Sequence, residues 1–429
     1  MRAAPLAAPA LRKRKDDRTQ EARVVLITRL FGGGARAREI DKVSWLRPSA
    51  AKSALRFWWR AAHAHEFTSL ITLRERESFL FGAPATFDSA RRIHGGPGAL
   101  EVTTQSHLGP EPVAYAEPPS NSLNYAFFPA QPMNQPAAKV APAADQTWAD
   151  LKLRFVLDDP SVPQVFLASL RLWLTLGGAG ARSRRGAGAL AASTREEAKK
   201  LGLPESRQEL EAFLAEHCRP QPVPQSLDGV FCLARTRKVF VGPSEPSGEK
   251  AQKQLLSALK EARQDRPHPA AMVWGRSRWP EADAIRLKAD PRRSWHHAPN
   301  PANANLYPRS VLGLPIVVHF ITPPAEPGDH HVLGALPDGQ DWRKVERYSS
   351  PILLRPVRVW EGDRTMYVPV AVFTDCTLPA TARPLVTRDP TASLKSADVV
   401  TSFRLLNEAD KTLRRIENVF AQTQGFHSL

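Results

Sequence analysis

Between Leu176 and Leu190 the chain reads LGGAGARSRRGAGAL, five glycines and three arginines separated only by small residues. Glycines without a Cβ adopt positive φ and let main chain approach a ligand closely, leaving several N–H groups to point at one anion. Arginine adds a planar fork of donors that matches phosphate. Gly177, Gly178, Gly180, Gly186 and Gly188 with Arg182, Arg184 and Arg185 therefore describe a grip on phosphate backbone, and a flexible loop with solvated arginines is the plain alternative.

Other chemistries find less support. No Lys-Ser or Lys-Thr follows a glycine at the P-loop spacing, and the loop follows a helical stretch where a dinucleotide fingerprint follows a strand. Metal-free RNA cleavage needs a histidine beside a partner acid or base, and metal-dependent cleavage needs clustered carboxylates or histidines. His63 and His65 close a helix, and His296/His297 and His330/His331 are adjacent pairs in loop-like surroundings, where neighbouring side chains point different ways. The expectation is a binding protein, not an enzyme, without metal or cofactor; a metal-independent endoribonuclease is the rival.

The elements that position the loop are legible from periodicity. EARVVLITRL (21–30) reads as a buried strand feeding a second glycine-rich stretch that ends at Pro48. Ser49 is the expected N-cap of a helix to about His65, with Ala51, Leu55, Trp58, Trp59 and Ala62 on an apolar side and Lys52, Arg56, Arg60 and His63 on a cationic one. Spacing assigns Trp58 and Trp59 to packing, Trp59 being the better of the two for stacking on a base; Phe57 fits neither side. GALEVTTQSH (98–107) and LKLRFVL (151–157) read as strands, and a capping box at Ser161/Gln164 opens a helix carrying Phe166, Leu170, Trp173 and Leu174. Residues 191–266 read as polar and helical, with capping boxes at Thr194/Glu197 and Ser206/Glu209 and an amphipathic piece at 248–264. Strand signals return at 268–275, 314–320, 351–360 and 366–374, the last two joined by EGDR, before a helix near 402–420 bearing Leu405, Ala409, Leu413, Ile416 and Phe420.

At 429 residues the chain holds two or three domains. Its net charge of +16 favours a polyanionic partner, nucleic acid first, although a GC-rich genome raises Arg, Ala and Pro together. Cys218, Cys232 and Cys376 form no CxxC pair and fit a reducing cytoplasm. No apolar run reaches membrane-span length, residues 1–20 read as a disordered basic tail, and no helix-turn-helix or zinc-finger pattern suggests a free-standing regulator.

GGAGARSRRGAG resembles the glycine-rich loop of the RAMP superfamily of CRISPR systems, and more closely that of the first-subunit family of the Cmr complex, the type III-B RNA-guided effector. RPSAAKSALRFWWRAAHA, VLGLPIVVHF (311–320) and YSSPILLRP (348–356) are similar to further segments of that family and come in its order. Ala179 and Ala187 depart from the bulkier residues usual there. The resemblance implies an α+β protein with two ferredoxin-like (RRM-like) domains, placed at 21–190 and 267–429; the polar stretch 191–266 has no match in the family and reads, from its own residues, as a helical insertion or linker. It implies Lys52, Arg56, Arg182, Ser183, Arg184 and Arg185 as RNA contacts, Ser183 on the motif alone. The implied partners are guide RNA, held toward its 3′ part, target RNA and the other Cmr subunits. Base pairing would read sequence there while protein holds backbone.

Overall fold

The computed structural model describes the chain apart from residues 1–17, 35, 85, 88–91, 94, 119–120, 133–135, 157–160, 267–276, 321, 346 and 376–377. Two four-stranded antiparallel sheets organise it. In the first, the strands Thr19–Leu26, Leu100–His107, Ala144–Phe155 and Leu190–Ala192 stand in spatial order fourth, first, third, second. Helix α1 (Pro48–His63) follows the first strand and α2 (Leu70–Phe81) comes after it; α3 (Ser122–Phe127) is a short turn of helix, and α4 (Ser161–Leu176) joins the third strand to the fourth.

Helix α1 buries Ala51, Leu55, Trp58, Trp59 and Ala61, so its apolar stripe is nearly the expected one. Its start is not. Arg47 is the N-cap and makes no side-chain cap, Pro48 occupies the first turn, and Ser49 lies inside the helix. Proline fits there because its fixed φ is already helical and its missing N–H is one a first turn does not need. Helix α4 is apolar almost all round because it is covered twice, by α1 and by the second sheet. Trp173 is fully buried in it, and a side chain of that size contributes about 3 kcal/mol.

After the first sheet come α5 (Arg195–Leu201) and α6 (Arg207–His217), capped by Thr194 and Ser206 as their sequences indicate. The second sheet repeats the first sheet's order: Thr236–Val241, then α7 (Gly248–Gln264), Ile352–Glu361, Arg364–Thr374, and His427–Ser428 after the last helix. The segment 191–266 is thus not an insertion throughout. Thr236–Val241 lies inside the second sheet, paired with Arg364–Thr374, and α7 packs on that sheet. The sequence reading missed this because a six-residue strand between polar stretches carries little periodicity of its own. The expected strand at 268–275 falls outside the described residues.

Helix α8 (Glu281–Ala289) precedes a smaller sheet of Ile316–Val318, His330–Asp338, Asp341–Val345 and Arg383–Thr387. Helix α9 (Ala409–Gln422) buries Ala409, Leu413, Ile416 and Phe420 against the second sheet's core. The EGDR turn holds Gly362 at φ +62° between paired Glu361 and Arg364. None of the described helices is long and apolar enough to cross a membrane.

Candidate nucleic-acid interface

The glycine-rich segment is a folded seam between the two halves. Ala181 N–H donates to the Phe31 carbonyl (2.7 Å), Gly188 N–H to Arg29 (2.8 Å) and Ala179 N–H to Gly188 (2.8 Å). The buried Thr28 hydroxyl donates to the Gly186 carbonyl and accepts from Ala189 N–H. On the other side, Leu354 N–H donates to the Arg184 carbonyl (3.0 Å), and Arg185 bridges Leu354 in a parallel sense. Gly188 shows why glycine is needed: at φ +61°, a Cβ there would stand 1.9 Å from the Ala179 carbonyl oxygen. Ala179 and Ala187, where bulkier residues are usual, are both buried in this seam.

A central partner of the seam is an arginine that sequence reasoning passed over. Arg355 is 1% exposed and donates to the carbonyls of Leu174 (2.9 Å), Thr175 (3.3 Å) and Leu190 (2.6 Å). It closes the C-terminal end of α4, where carbonyls lack helical partners. Burial pushes its guanidinium down to about 9, which leaves it cationic at neutral pH. Arg358 donates to the Ala192 carbonyl (3.2 Å) and pairs with Asp145 (2.8 Å).

Between this seam and the start of α1 lies a cleft of about 630 Å3. Gly177, Gly178, Ala179, Gly180, Ser183 and Arg184 line one wall, and Arg47, Ser49, Ala50, Ser53, Phe57 and Trp58 the other, with Gly33 at the edge. The lining contains no carboxylate residue. The approach to α1 is pinned by Trp45, whose indole N–H donates to His107 (3.1 Å), and by Thr104, whose hydroxyl donates to Leu46 (2.7 Å). Helix α1 has no acidic residue in its first turn and no side-chain cap, and Ser49 and Ala50 of that turn line the cleft, which therefore borders the positive end of the helix dipole. Among the described residues the main-chain N–H groups of Gly178, Gly180, Ser183 and Arg184 likewise meet no acceptor. Arg47 is held by Asp41 (2.9 Å) and the Gly33 carbonyl (2.9 Å). Main-chain N–H groups and the Arg47 fork hold Asp41 below the usual carboxylate range.

Arg184 is not the solvated cation of the plain alternative. Its guanidinium donates to the Ser350 carbonyl (2.6 Å) and stacks 4.5 Å from the ring centre of Phe231, which itself stacks on Phe57 at 5.3 Å. Burial pushes it down to about 10. Phe57 thus finds its place in an aromatic wall behind Arg184, and part of the 191–266 segment supplies the other ring. Trp59 is 2% exposed and packs on Phe67 and Phe81, so it is core and no stacking platform.

Lys52 and Arg56 do not reach the cleft. They lie on the next stripe of α1, where Arg56 pairs with the buried Glu77 of α2 at 2.5 Å and Arg60 approaches the same carboxylate at 3.3 Å. Burial, then Arg56, lower the Lys52 ammonium from its ordinary value. Glu77 was invisible to a reading of α1 alone. Arg182, Arg185, Gly186 and Gly188 lie on the side of the loop away from the cleft lining. The sequence signal for Arg47, Ser49 and Ser53 was present in the glycine stretch before Pro48, but nothing in it said that α1 starts uncapped.

The outer face of the first sheet, where an RRM-like fold offers aromatics to bases, is instead covered by ion pairs: Arg23 with Asp150 (2.6 Å), Lys152 with Glu21 (3.1 Å) and Arg154 with Glu101. Arg23 also covers the ring of Trp148 at 4.4 Å.

Comparison with known proteins finds a likeness in the first part of the chain. The model of the RAMP superfamily matches residues 23–191, which end with the glycine seam. This stretch is thus similar to the RAMP superfamily. Among solved structures, the chain is similar to Cmr1 from Pyrococcus furiosus in its apo form, at 14% identity and TM-score 0.48, over 96% of this chain and 98% of that one. It is also similar to a chain of the type III-B Cmr-beta structure bound to cognate target RNA and AMPPnP in the presence of ssDNA, at 10% identity and TM-score 0.40, over 93% and 98%. No curated protein matches the chain.

Proposed function

We propose that this protein is the first subunit of a type III-B (Cmr) CRISPR effector and that its α1 cleft holds RNA by the phosphate backbone. The observation that carries the reading is one cleft, lined by no carboxylate residue, that joins the uncapped start of α1 to Gly178, Gly180, Ser183 and Arg184, whose N–H groups meet no acceptor among the described residues, with Arg47 and Arg184 on its walls. Such a surface suits a phosphodiester and is indifferent to the base it carries. The RAMP match over 23–191 and the GGAGARSRRGAG and LRFWWR segments support the assignment to this family. The order of strands in both sheets supports two ferredoxin-like domains, the second opening near Thr236. In this reading the subunit works in the cytoplasm beside the other Cmr subunits and holds guide RNA toward its 3′ part while helping to engage target. It does not cleave.

The test is titration of single-stranded RNA of varied sequence against salt. Affinity should be nearly sequence-independent, with a slope of about −0.7 per phosphate contact, roughly −2 to −4 in all. A flat response to salt overturns the reading, as does strong preference for one sequence. The RNA should stay intact throughout; specific cleavage lost on changing His63 or His297 would favour an endoribonuclease.

A further inference from the structure

The first sheet ends in an open edge. Its outer strand, Leu100–His107, pairs only with Ala144–Phe155. Val156 N–H donates to the Ala99 carbonyl (2.8 Å) across that antiparallel ladder, so the odd-numbered residues bond inward, and Val102, Thr104 and Ser106 turn their N–H and C=O groups outward. Among the described residues no strand meets them. The other long outer strand, Ile352–Glu361, is closed, because Leu354 N–H reaches the Arg184 carbonyl (3.0 Å) and Trp360 N–H reaches that of Glu205 (2.7 Å). The remaining edges of the two large sheets, Leu190–Ala192 and His427–Ser428, are three and two residues long. Proteins blunt a long edge with proline, lysine or a bulge. The eight residues of Leu100–His107 contain none of these.

The two flanks of this edge differ in charge. On the outer face Arg154 is matched by Glu101 and Lys152 by Glu21. On the helix side the cations outnumber their partners. Half-buried Lys52 of α1 lies near enough to Glu101 to feel its charge, yet forms no ion pair among the described residues. Arg56 and Arg60 share the one carboxylate of Glu77. Arg76 of α2 covers the ring of Phe79 at 5.0 Å and likewise forms no ion pair among the described residues. Phe79 is 44% exposed, and its carbonyl accepts from Ala99 N–H at the start of the strand (3.2 Å), which sets α2 beside the edge.

We propose that this edge receives an extended strand from another protein chain, with carboxylate side chains turned toward Lys52 and Arg76. A peptide offers alternating N–H and C=O groups at the spacing of the edge, which an RNA strand does not. A second copy of this chain is disfavoured, because pairing two such edges about a two-fold axis sets Lys52, Arg56 and Arg76 of one copy against the same cations of the other. The proposal stands apart from the RNA reading of the α1 cleft, whose lining does not include Lys52 or the edge strand.

The probes are two fluorescent peptides of about ten residues, one alternating valine with glutamate and one alternating valine with lysine. The glutamate peptide should bind at least about tenfold more tightly than the lysine peptide and should slow hydrogen exchange at the amides of Val102, Thr104 and Ser106, which exchange faster than those of Thr103 and Gln105 in the free protein. Lys52→Glu should narrow or reverse the preference at an unchanged melting temperature. Val102→Pro removes an N–H that bonds nothing in the sheet, a position where an edge strand tolerates proline, and should abolish binding of the glutamate peptide. The charge variant keeps the proposal open to refutation if the proline variant unfolds. Equal affinity for the two peptides, binding that leaves the three amides unprotected, or no binding at about 1 mM overturns the proposal. An oligoribonucleotide that protected the same amides would assign the edge to RNA and overturn it as well.

Discussion

At the scale of single residues, the glycine loop separates geometry from charge. Gly188→Val forces a β-branched side chain into positive φ with its Cβ 1.9 Å from a carbonyl oxygen. It should cost at least about 2 kcal/mol of stability, read as a lower denaturant midpoint, with every cation retained. Arg184→Ala behaves differently from a solvated arginine. It removes a donor to Ser350 as well as a cleft cation, so melting temperature and RNA affinity should fall together, the affinity by roughly 1.5 to 3 kcal/mol. An unchanged melting temperature would show that the Ser350 contact contributes nothing. The identity of the loop residues was readable in sequence because glycine and arginine each do something few residues can. Their partners were not, since Ser350 and Leu354 lie some 170 positions away and a carbonyl acceptor leaves no mark in residue type. Lys52 and Arg56 illustrate the converse: helical spacing put them on one face correctly, but Glu77 on another helix decides what that face is for.

At the scale of elements, the decisive feature is the bare start of α1. Ser49→Asp adds a negative charge to a first turn that has none, which should stabilise the helix by about 0.3 to 1 kcal/mol. The same carboxylate occupies the N–H groups offered to phosphate, so RNA affinity should drop at least about tenfold while melting temperature rises or holds. A loss of both would mean that the substitution damages the fold and that the helix end is not the anion site. The sequence reading came within one residue of this: it placed the cap at Ser49, where Pro48 in the first turn makes Arg47 the boundary. Helix α7 matches its expected span of 248–264, whereas α9, expected from about 402, begins only at Ala409, with Leu405 outside it. The strand Thr236–Val241 did not stand out because its place is set by pairing with Arg364–Thr374, a non-local contact.

At the scale of the whole molecule, Arg355 ties α4 and the first sheet to the second, and its loss should be felt by both halves. Arg355→Ala leaves three buried carbonyls without their donor and should cost about 3 kcal/mol or more, with both halves still unfolding in one transition. Two separated transitions in the parent would show the seam to be weaker than its contacts imply. Cys218 reports on the same cooperativity. Burial pushes its thiol up to about 12, and Cys232 is raised for the same reason, so neither should react with thiol reagents before unfolding. The unfolded chain releases the Cys218 proton near pH 9 and the folded chain only near 12. Stability from this group is therefore lost as pH rises across that interval, by about 1.4 kcal/mol per pH unit, and Cys218→Ala should flatten the decline.

The contact between Arg184 and Ser350 also sets an order in time. The two residues are 166 positions apart in the chain. At a synthesis rate of roughly 5 to 20 residues per second, the first sheet and its loop leave the ribosome some ten to thirty seconds before the strand that braces the loop. During that interval the first sheet can close, but Arg184 has neither Ser350 nor Leu354 to hold it. The nascent protein therefore carries the loop's full positive charge before it has the shape that makes the charge selective. The loop takes its final shape only once Ser350 and Leu354 have been made.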